Sequence, residues 1–288
     1  MIKRELDDAN EAWLDRLDNI LFHGHERYPR GKKTKDEPAA VLSLDMRRPV
    51  ITIPERRLNY QFMAAEAYWI LSGDNRVVGV APWNKHIAQF SDDGETFFGA
   101  YGPRIQAQLG YVVDKLMEDA DTRQATLTIW RESPPATKDY PCTVAMVFNQ
   151  VVANDQERLD LTVFMRSSDA CLGIPYDVFT FSMVAHQVCA RLNGRRGAQG
   201  NNEVLRPGEL RLMMASSHLY EPNFKEAEDI LSRYGWDGEY GDVAAPSAPQ
   251  PSPQELYTSE RALLERLMAL RDTRPGDPLR WWEHHAAG

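Results

Sequence analysis

The sequence predicts an α+β fold, a mixed β-sheet packed with helices, and three observations carry that expectation. Amphipathic segments with helical spacing recur along the chain. The middle is dense in β-branched and apolar runs that follow one another through short turns, as hairpins do. Helices and strands do not alternate regularly, which argues against a doubly wound parallel sheet.

Residues 6–22 carry Leu6, Ala9, Ala12, Trp13, Leu17, Ile20 and Leu21 at helical spacing. Tyr28 to Pro38 is polar, basic and rich in breakers, and reads as a loop. Val41–Leu44 and Val50–Ile53 read as strands paired around the turn Asp45-Met46-Arg47-Arg48-Pro49. A helix is expected from about Asn59 to Leu71, stopping at Gly73, and another near Pro103–Met117. Between them, Val77 to Gly102 is rich in glycine and aromatic residues, as an ordered functional loop region would be. Ala125–Trp130, Cys142–Val152 and Leu159–Arg166 read as strands, with Ala153-Asn154-Asp155 as a hairpin turn. Pro175 to Leu192 reads as a long buried helix, Arg206–Leu219 as a return to the sheet and Asn223–Tyr234 as a further helix.

Composition shifts at residues 242–253, where Pro246, Pro249, Pro251 and Pro253 alternate with small and polar residues. That stretch reads as a linker between a main domain (1–241) and a helical extension (254–288). Leu256, Leu263, Leu264, Leu267 and Leu270 give the extension an apolar stripe that needs a surface to dock on. Near the end, Trp281-Trp282-Glu283-His284-His285 holds paired histidines, but no further ligand stands at metal spacing, so no metal is expected.

A chain of 288 residues with 43% hydrophobic content can build a substantial core. Its net charge of −9 argues against a surface that neutralises a nucleic-acid backbone, yet leaves room for a few arginines converging on a small anion. No run approaches the roughly 18 apolar residues of a membrane span, and the charged start does not read as a signal peptide, so a cytoplasmic protein is expected. Three cysteines, Cys142, Cys171 and Cys189, are too few and too irregularly spaced for a disulfide framework, and read as reduced thiols.

The chemistry concentrates in Arg166-Ser167-Ser168-Asp169-Ala170-Cys171-Leu172-Gly173-Ile174-Pro175-Tyr176-Asp177, with Pro141-Cys142-Thr143 one hairpin upstream. A thiol, a guanidinium, a hydroxyl and a carboxylate stand on consecutive elements. Taken singly, each has an ordinary alternative: Cys142 as a small buried hydrophobe, Asp177 as a cap of the following helix, His218 and Tyr220 as an edge-strand and a core residue. Glu66, alone among apolar helix neighbours, is costly to bury without a role.

Together these residues resemble the pyrimidine-binding core of the thymidylate synthase superfamily, whose Arg-Ser-x-Asp-x-x-Leu-Gly-x-Pro-[Phe/Tyr]-Asn run ends in an amide that reads uracil. The resemblance covers about residues 5–235, is strongest over 142–220, and implies a thymidylate synthase-like fold that dimerises sheet to sheet. It implies Cys142 as the nucleophile at C6 of the pyrimidine and Glu66 as the manager of proton transfers. Arg166 and Ser167 become phosphate ligands, and His218 and Tyr220 ligands of the sugar 3′-hydroxyl. Trp83, Asn84, Tyr101, Asp169 and Gly173 become residues of the folate and active-site cavity. Arg123 matches an arginine donated by the partner subunit, with Gln124 at the position of a second. Arg30, in Arg30-Gly31-Lys32-Lys33, is a candidate for the remaining cation, a solvated basic loop being the alternative.

The sequence departs from the family pattern at four places: Asp177 replaces the amide, Thr143 a histidine, His86 a second cavity tryptophan, and the Pro-rich stretch and extension a hydrophobic tail. Cytosine presents an acceptor at N3 and a donor at N4, the inverse of uracil, and a carboxyl group complements that edge where an amide does not. The resemblance therefore implies a cytidylate (dCMP or CMP) 5-hydroxymethyltransferase that uses 5,10-methylenetetrahydrofolate, with water completing the hydroxymethyl group. Alternatives are a cytidylate methyltransferase, an atypical thymidylate synthase, or an inactive nucleotide-binding protein.

Overall fold

The computed structural model describes residues 7–153, 156–234, 243, 245–246, 248–273 and 278–283. Its centre is a seven-stranded mixed sheet in the order β1 (His25–Arg27), β2 (Thr34–Asp45), β7 (Arg206–Tyr220), β5 (Gln156–Met165), β4 (Thr143–Ala153), β3 (Thr126–Thr128). The two-residue β6 (Ser168–Asp169) pairs beside β7. β4 and β5 form the expected hairpin, though Asn154 and Asp155 of its turn lie outside the described residues. β5 and β7 run parallel, and such pairing needs a crossover, supplied here by helix α4 (Ile174–Ala198).

The helices follow the apolar spacing. α1 (Ala9–His23) opens with a capping box, Asp8 accepting from the Glu11 amide while Glu11 reaches back to the Asp8 amide. α2 (Tyr60–Leu71) is capped by Asn59, and α3 (Tyr101–Glu118) and α5 (Phe224–Tyr234) stand close to their expected bounds. One sheet face is buried: Leu42 and Leu44, Leu159, Leu161, Val163, Leu210, Leu212 and Met214 point into the core beneath the helices. The opposite face exposes Val41, Val144, Phe164 and Met213, and the register sets Met213 beside both Val41 and Phe164.

The first third corrects the sequence reading twice. Val50–Ile53 is not a strand. Its apolar side chains fill the core, and its backbone is satisfied by side chains, the Thr52 amide donating to Asn10 Oδ1 (2.7 Å) and the Tyr60 hydroxyl to the Ile51 carbonyl (2.8 Å). The partner of residues 41–44 is instead β7, across the register Val41↔Met213 to Leu44↔Leu210. β2 also begins earlier than expected, at Thr34 inside the basic segment, because β1 and β7 flank its first residues and supply backbone partners on both sides.

The segment after the Pro-rich stretch shares the main core. Pro249 and Ser252 are buried, and Ser252 meets the ring of His186 in α4 (2.8 Å), so part of that stretch is packed rather than a free linker. α6 (Glu260–Asp272) buries Leu263, Leu267 and Leu270, and Trp281 and Trp282 of α7 (Pro278–Glu283) lie against Phe179 of α4. Glu260 receives Arg191 (2.7 Å) and Gln187 (2.6 Å) from α4. His284 and His285 lie outside the described residues. No described helix is long and apolar enough to cross a membrane.

If α6 is part of one cooperative unit, Leu267→Ala should cost about 2–4 kcal/mol and lower the melting temperature of the whole protein in one transition. A separate early transition in calorimetry, leaving the main unfolding untouched, would refute that.

Candidate active site

Residues of α2, α3, α4 and the start of β4 meet around a cavity of about 360 Å3. α2 is apolar on nearly every side, and Glu66 is its only charged residue. Glu66 reaches the cavity wall and makes no hydrogen bond among the described residues. Burial, with the charge of Asp177 adding to it, pushes its pKa up to about 8.

Asp177 does not cap α4. The helix begins at Ile174 with Gly173 at its N-cap, so Asp177 falls inside the first turn and its carboxyl lines the cavity. Burial, reinforced by the charge of Asp169 and opposed by the Ser168 hydroxyl, pushes its pKa up to about 7. Ionised Asp177 disfavours ionisation of Glu66, so the cavity holds a proton near neutrality.

Cys142 stands immediately before β4, where its carbonyl accepts from the Arg166 amide (2.9 Å). The Arg166 side chain donates to the carbonyls of Pro141 (3.0 Å) and Tyr140 (3.1 Å), and lies 5.7 Å from the centre of the Trp130 ring. Arg166 and the Ser167 hydroxyl each come within 3.8 Å of Sγ. A guanidinium so close would be expected to favour the thiolate. Burial outweighs it, and the thiol is held above its ordinary pKa.

Tyr101 joins the site through its ring, stacked on Phe181, and its hydroxyl, which accepts from the Thr143 amide (3.2 Å). Thr143 is buried. Asp169 stands behind the wall: Oδ1 accepts from the amides of Cys171 (2.8 Å) and Leu172 (2.9 Å) and fixes the turn into α4. Gly173 completes that turn, since a Cβ there would sit 3.1 Å from the Asp169 carbonyl and 3.3 Å from Asp177 Oδ2. β6 sets Asp169 opposite His218 of β7, whose ring meets Tyr220 edge-on at 5.3 Å. Burial lowers the His218 pKa, favouring the neutral imidazole.

Other expected residues are not brought to the cavity. Arg30 and Arg123 are both exposed and outside its lining. Trp83 lies under the Arg271 guanidinium of α6 (4.7 Å), its carbonyl accepting from Asn59, and the neighbouring His86 is exposed. From that loop it is Ile87 and Phe90 that line the cavity. The sequence reading also missed Thr180 and Asp139, both in the lining. An acid three residues before Cys142 was the available signal for Asp139. Among the described residues no group of His, Cys, Asp and Glu could hold a metal ion.

A thiol and three carboxyls of raised pKa, Glu66, Asp139 and Asp177, line one largely apolar cavity, with the clamped Arg166 within 3.8 Å of the thiol; such a set offers a nucleophile and proton carriers to a flat, polar-edged ring. The sequence pattern of thymidylate synthase matches residues 11–237. Similar curated proteins include the deoxyuridylate hydroxymethyltransferase of Bacillus phage SP01, 29% identical over 248 residues that cover 78% of this chain and 61% of that protein. Another, of the same name from Pseudomonas phage M6, is 32% identical over 224 residues, 74% of this chain and 60% of that protein. The chain thus spans about 60% of the length of these relatives. It belongs to the thymidylate synthase family.

Proposed function

We propose that the protein is a cytidylate (dCMP or CMP) 5-hydroxymethyltransferase that takes a one-carbon unit from 5,10-methylenetetrahydrofolate and completes it with water. The observation that carries the reading is the carboxyl of Asp177 in the cavity wall, with a pKa of about 7, where the family pattern has an amide. A neutral carboxylic acid donates to N3 of cytosine and accepts from its N4 amino group, and each buried mismatch avoided is worth roughly 1–3 kcal/mol.

Donation to N3 also draws electrons from C6, which compensates for a thiol that burial keeps protonated. Cys142 then adds to C6 and makes C5 nucleophilic toward the folate methylene. Glu66, protonated near neutrality, is suited to deliver and recover protons inside the cavity. Arg166 and Ser167 hold the phosphate beside the thiol, and His218 and Tyr220 the sugar. The apolar side of the cavity, with Trp69, Ile87, Phe90 and Phe181, suits the flat folate ring, and Tyr101 borders it.

The named relatives favour a second reading, deoxyuridylate as substrate. Asp177→Asn separates the two. On the cytidylate reading the substitution shifts relative kcat/KM from cytidylate toward uridylate by about 2–4 kcal/mol, as two buried hydrogen bonds change sign. With the native acid, kcat/KM for cytidylate should fall as pH rises past about 7, because the Asp177 proton that pairs with N3 is lost. A folded Asn variant that keeps the wild-type preference would overturn the assignment of base reading to Asp177. Wild-type release of tritium from 5-tritiated uridylate but not from cytidylate would favour the relatives' substrate.

Cys142→Ser should abolish turnover while nucleotide affinity, read by calorimetry, stays within about fivefold, because the thiol activates the ring and does not hold the phosphate. Wild-type rates in this variant would rule out the covalent mechanism.

The exposed Val41, Val144, Phe164 and Met213 support a homodimer through the open sheet face, with Arg123 reaching the partner's phosphate site. Mixing a Cys142→Ser chain with an Arg123→Ala chain should then recover part of the activity that each lacks alone. No recovery in mixed dimers verified by native mass spectrometry would exclude the shared site.

A further inference from the structure

We propose that Asp139 is a catalytic residue of this reaction, the base that takes a proton from the water completing the hydroxymethyl group; the inference rests on the hydroxymethyltransferase reading above. Asp139 lines the same cavity as Cys142, Glu66 and Asp177, from the loop between β3 and β4.

That loop is irregular but anchored. Thr137 Oγ1 and the Lys138 amide (2.9 Å) donate to the two oxygens of Asp92, and the Asp139 amide donates to Thr137 Oγ1 (3.0 Å). The Gly99 amide donates to Asp139 Oδ2 (2.6 Å). A Cβ on Gly99 would lie 2.4 Å from the Asp139 carbonyl and 2.8 Å from Oδ2, so only glycine lets the acid approach this backbone. Among the described residues Oδ1 accepts no hydrogen bond, and the Arg104 guanidinium acts on Asp139 through its charge without a hydrogen bond to it. A carboxyl in a cavity wall, with one oxygen committed to an amide and the other without a hydrogen bond among the described residues, is the arrangement a general base needs.

The chemistry selects Asp139 by position. Cys142 defines where C6 lies and Asp177 defines the N3/N4 edge, so C5 and its substituent point into the remaining part of the cavity. The other carboxyl there, Glu66, holds its proton near neutrality and so enters the sequence as a proton donor. Burial raises the Asp139 pKa, but the Gly99 amide and the Arg104 guanidinium oppose the rise. Ile87, Phe90 and Phe97 are apolar members of the same lining.

The step balances without a further reactant. Once tetrahydrofolate has left, an exocyclic methylene stands on C5 while sulfur remains on C6. The water oxygen bonds to the methylene carbon, the C=C electron pair moves toward C4, and Asp139 takes the water proton. The pair then returns to form C5=C6 as the C6–S bond breaks and the Cys142 thiolate leaves.

The test uses 5-tritiated cytidylate and uridylate with 5,10-methylenetetrahydrofolate and the full chain. Tritium release reports loss of the C5 hydrogen, before water adds; mass spectrometry reports hydroxymethylated nucleotide. In Asp139→Asn and Asp139→Ala, single-turnover tritium release should stay within about threefold of wild type while hydroxymethyl product falls about 100-fold. Added 2-mercaptoethanol should trap the methylene as a thioether, and formate should partly rescue Asp139→Ala. Product formation in step with tritium release in both variants overturns the role of Asp139 and leaves the parent reading standing. A wild-type protein that releases no tritium from either nucleotide overturns the parent reading and this inference with it.

Discussion

The parallel pairing of β5 with β7 is the constraint from which the site follows. Parallel neighbours cannot be joined by a tight turn, so the chain must leave the sheet after Met165, cross its face as α4 and return at Arg206. Leaving the sheet puts Arg166 and Ser167 against Cys142 at the end of the adjacent β4. Crossing the face puts the first turn of α4, with Asp177, over the same end of the sheet. Returning sets β7 beside the short β6, which faces His218 toward Asp169. A single topological requirement thus gathers a thiol, a cation, a carboxyl and an imidazole.

Desolvation then sets the chemical state of what topology gathers. Glu66 and Asp177 share a cavity in which both would be costly as anions; the charge of Asp177 further weakens the acidity of Glu66, and that of Asp169 the acidity of Asp177. Cys142 feels the same low polarity, which outweighs its arginine. The cavity therefore favours the protonated forms of both acids and of the thiol. Burial raises the Asp139 pKa as well, although the Gly99 amide and the Arg104 guanidinium stabilise its charged form and oppose the rise.

The C-terminal segment bears on the site without lining it. None of the described residues from 243 onward reaches the cavity, yet α6 clamps α4 through Glu260 and covers Trp83 with Arg271. Gln106 and Gln187 both donate to the Leu71 carbonyl (2.7 and 3.2 Å), and Gln187 also donates to Glu260. The end of the helix that carries Glu66 is thereby tied to α3, α4 and α6 at once. Rigid support of this kind keeps a buried acid in one orientation.

Local patterns carried a large share of this outcome. Helical spacing located α1, α2, α3, α4 and α5 within a few residues, since each must bury one apolar face, and the β4–β5 hairpin was legible from two apolar runs joined by a short turn. The motif from Arg166 to Asp177 and Cys142 come together, Cys142 and Asp177 in one cavity wall, because residues close in sequence around one hairpin and one turn cannot end far apart. Pairing was different: whether Val50–Ile53 formed a strand depended on β7, a partner more than a hundred and fifty residues away that had already claimed β2. The approach of Asp139 to Gly99, the withdrawal of Trp83 beneath Arg271 and the elevated pKa values of Glu66 and Asp177 were likewise decided by tertiary structure. Each depends on the sum of distant neighbours, through desolvation and long-range contact, and no local run of residues encodes that sum.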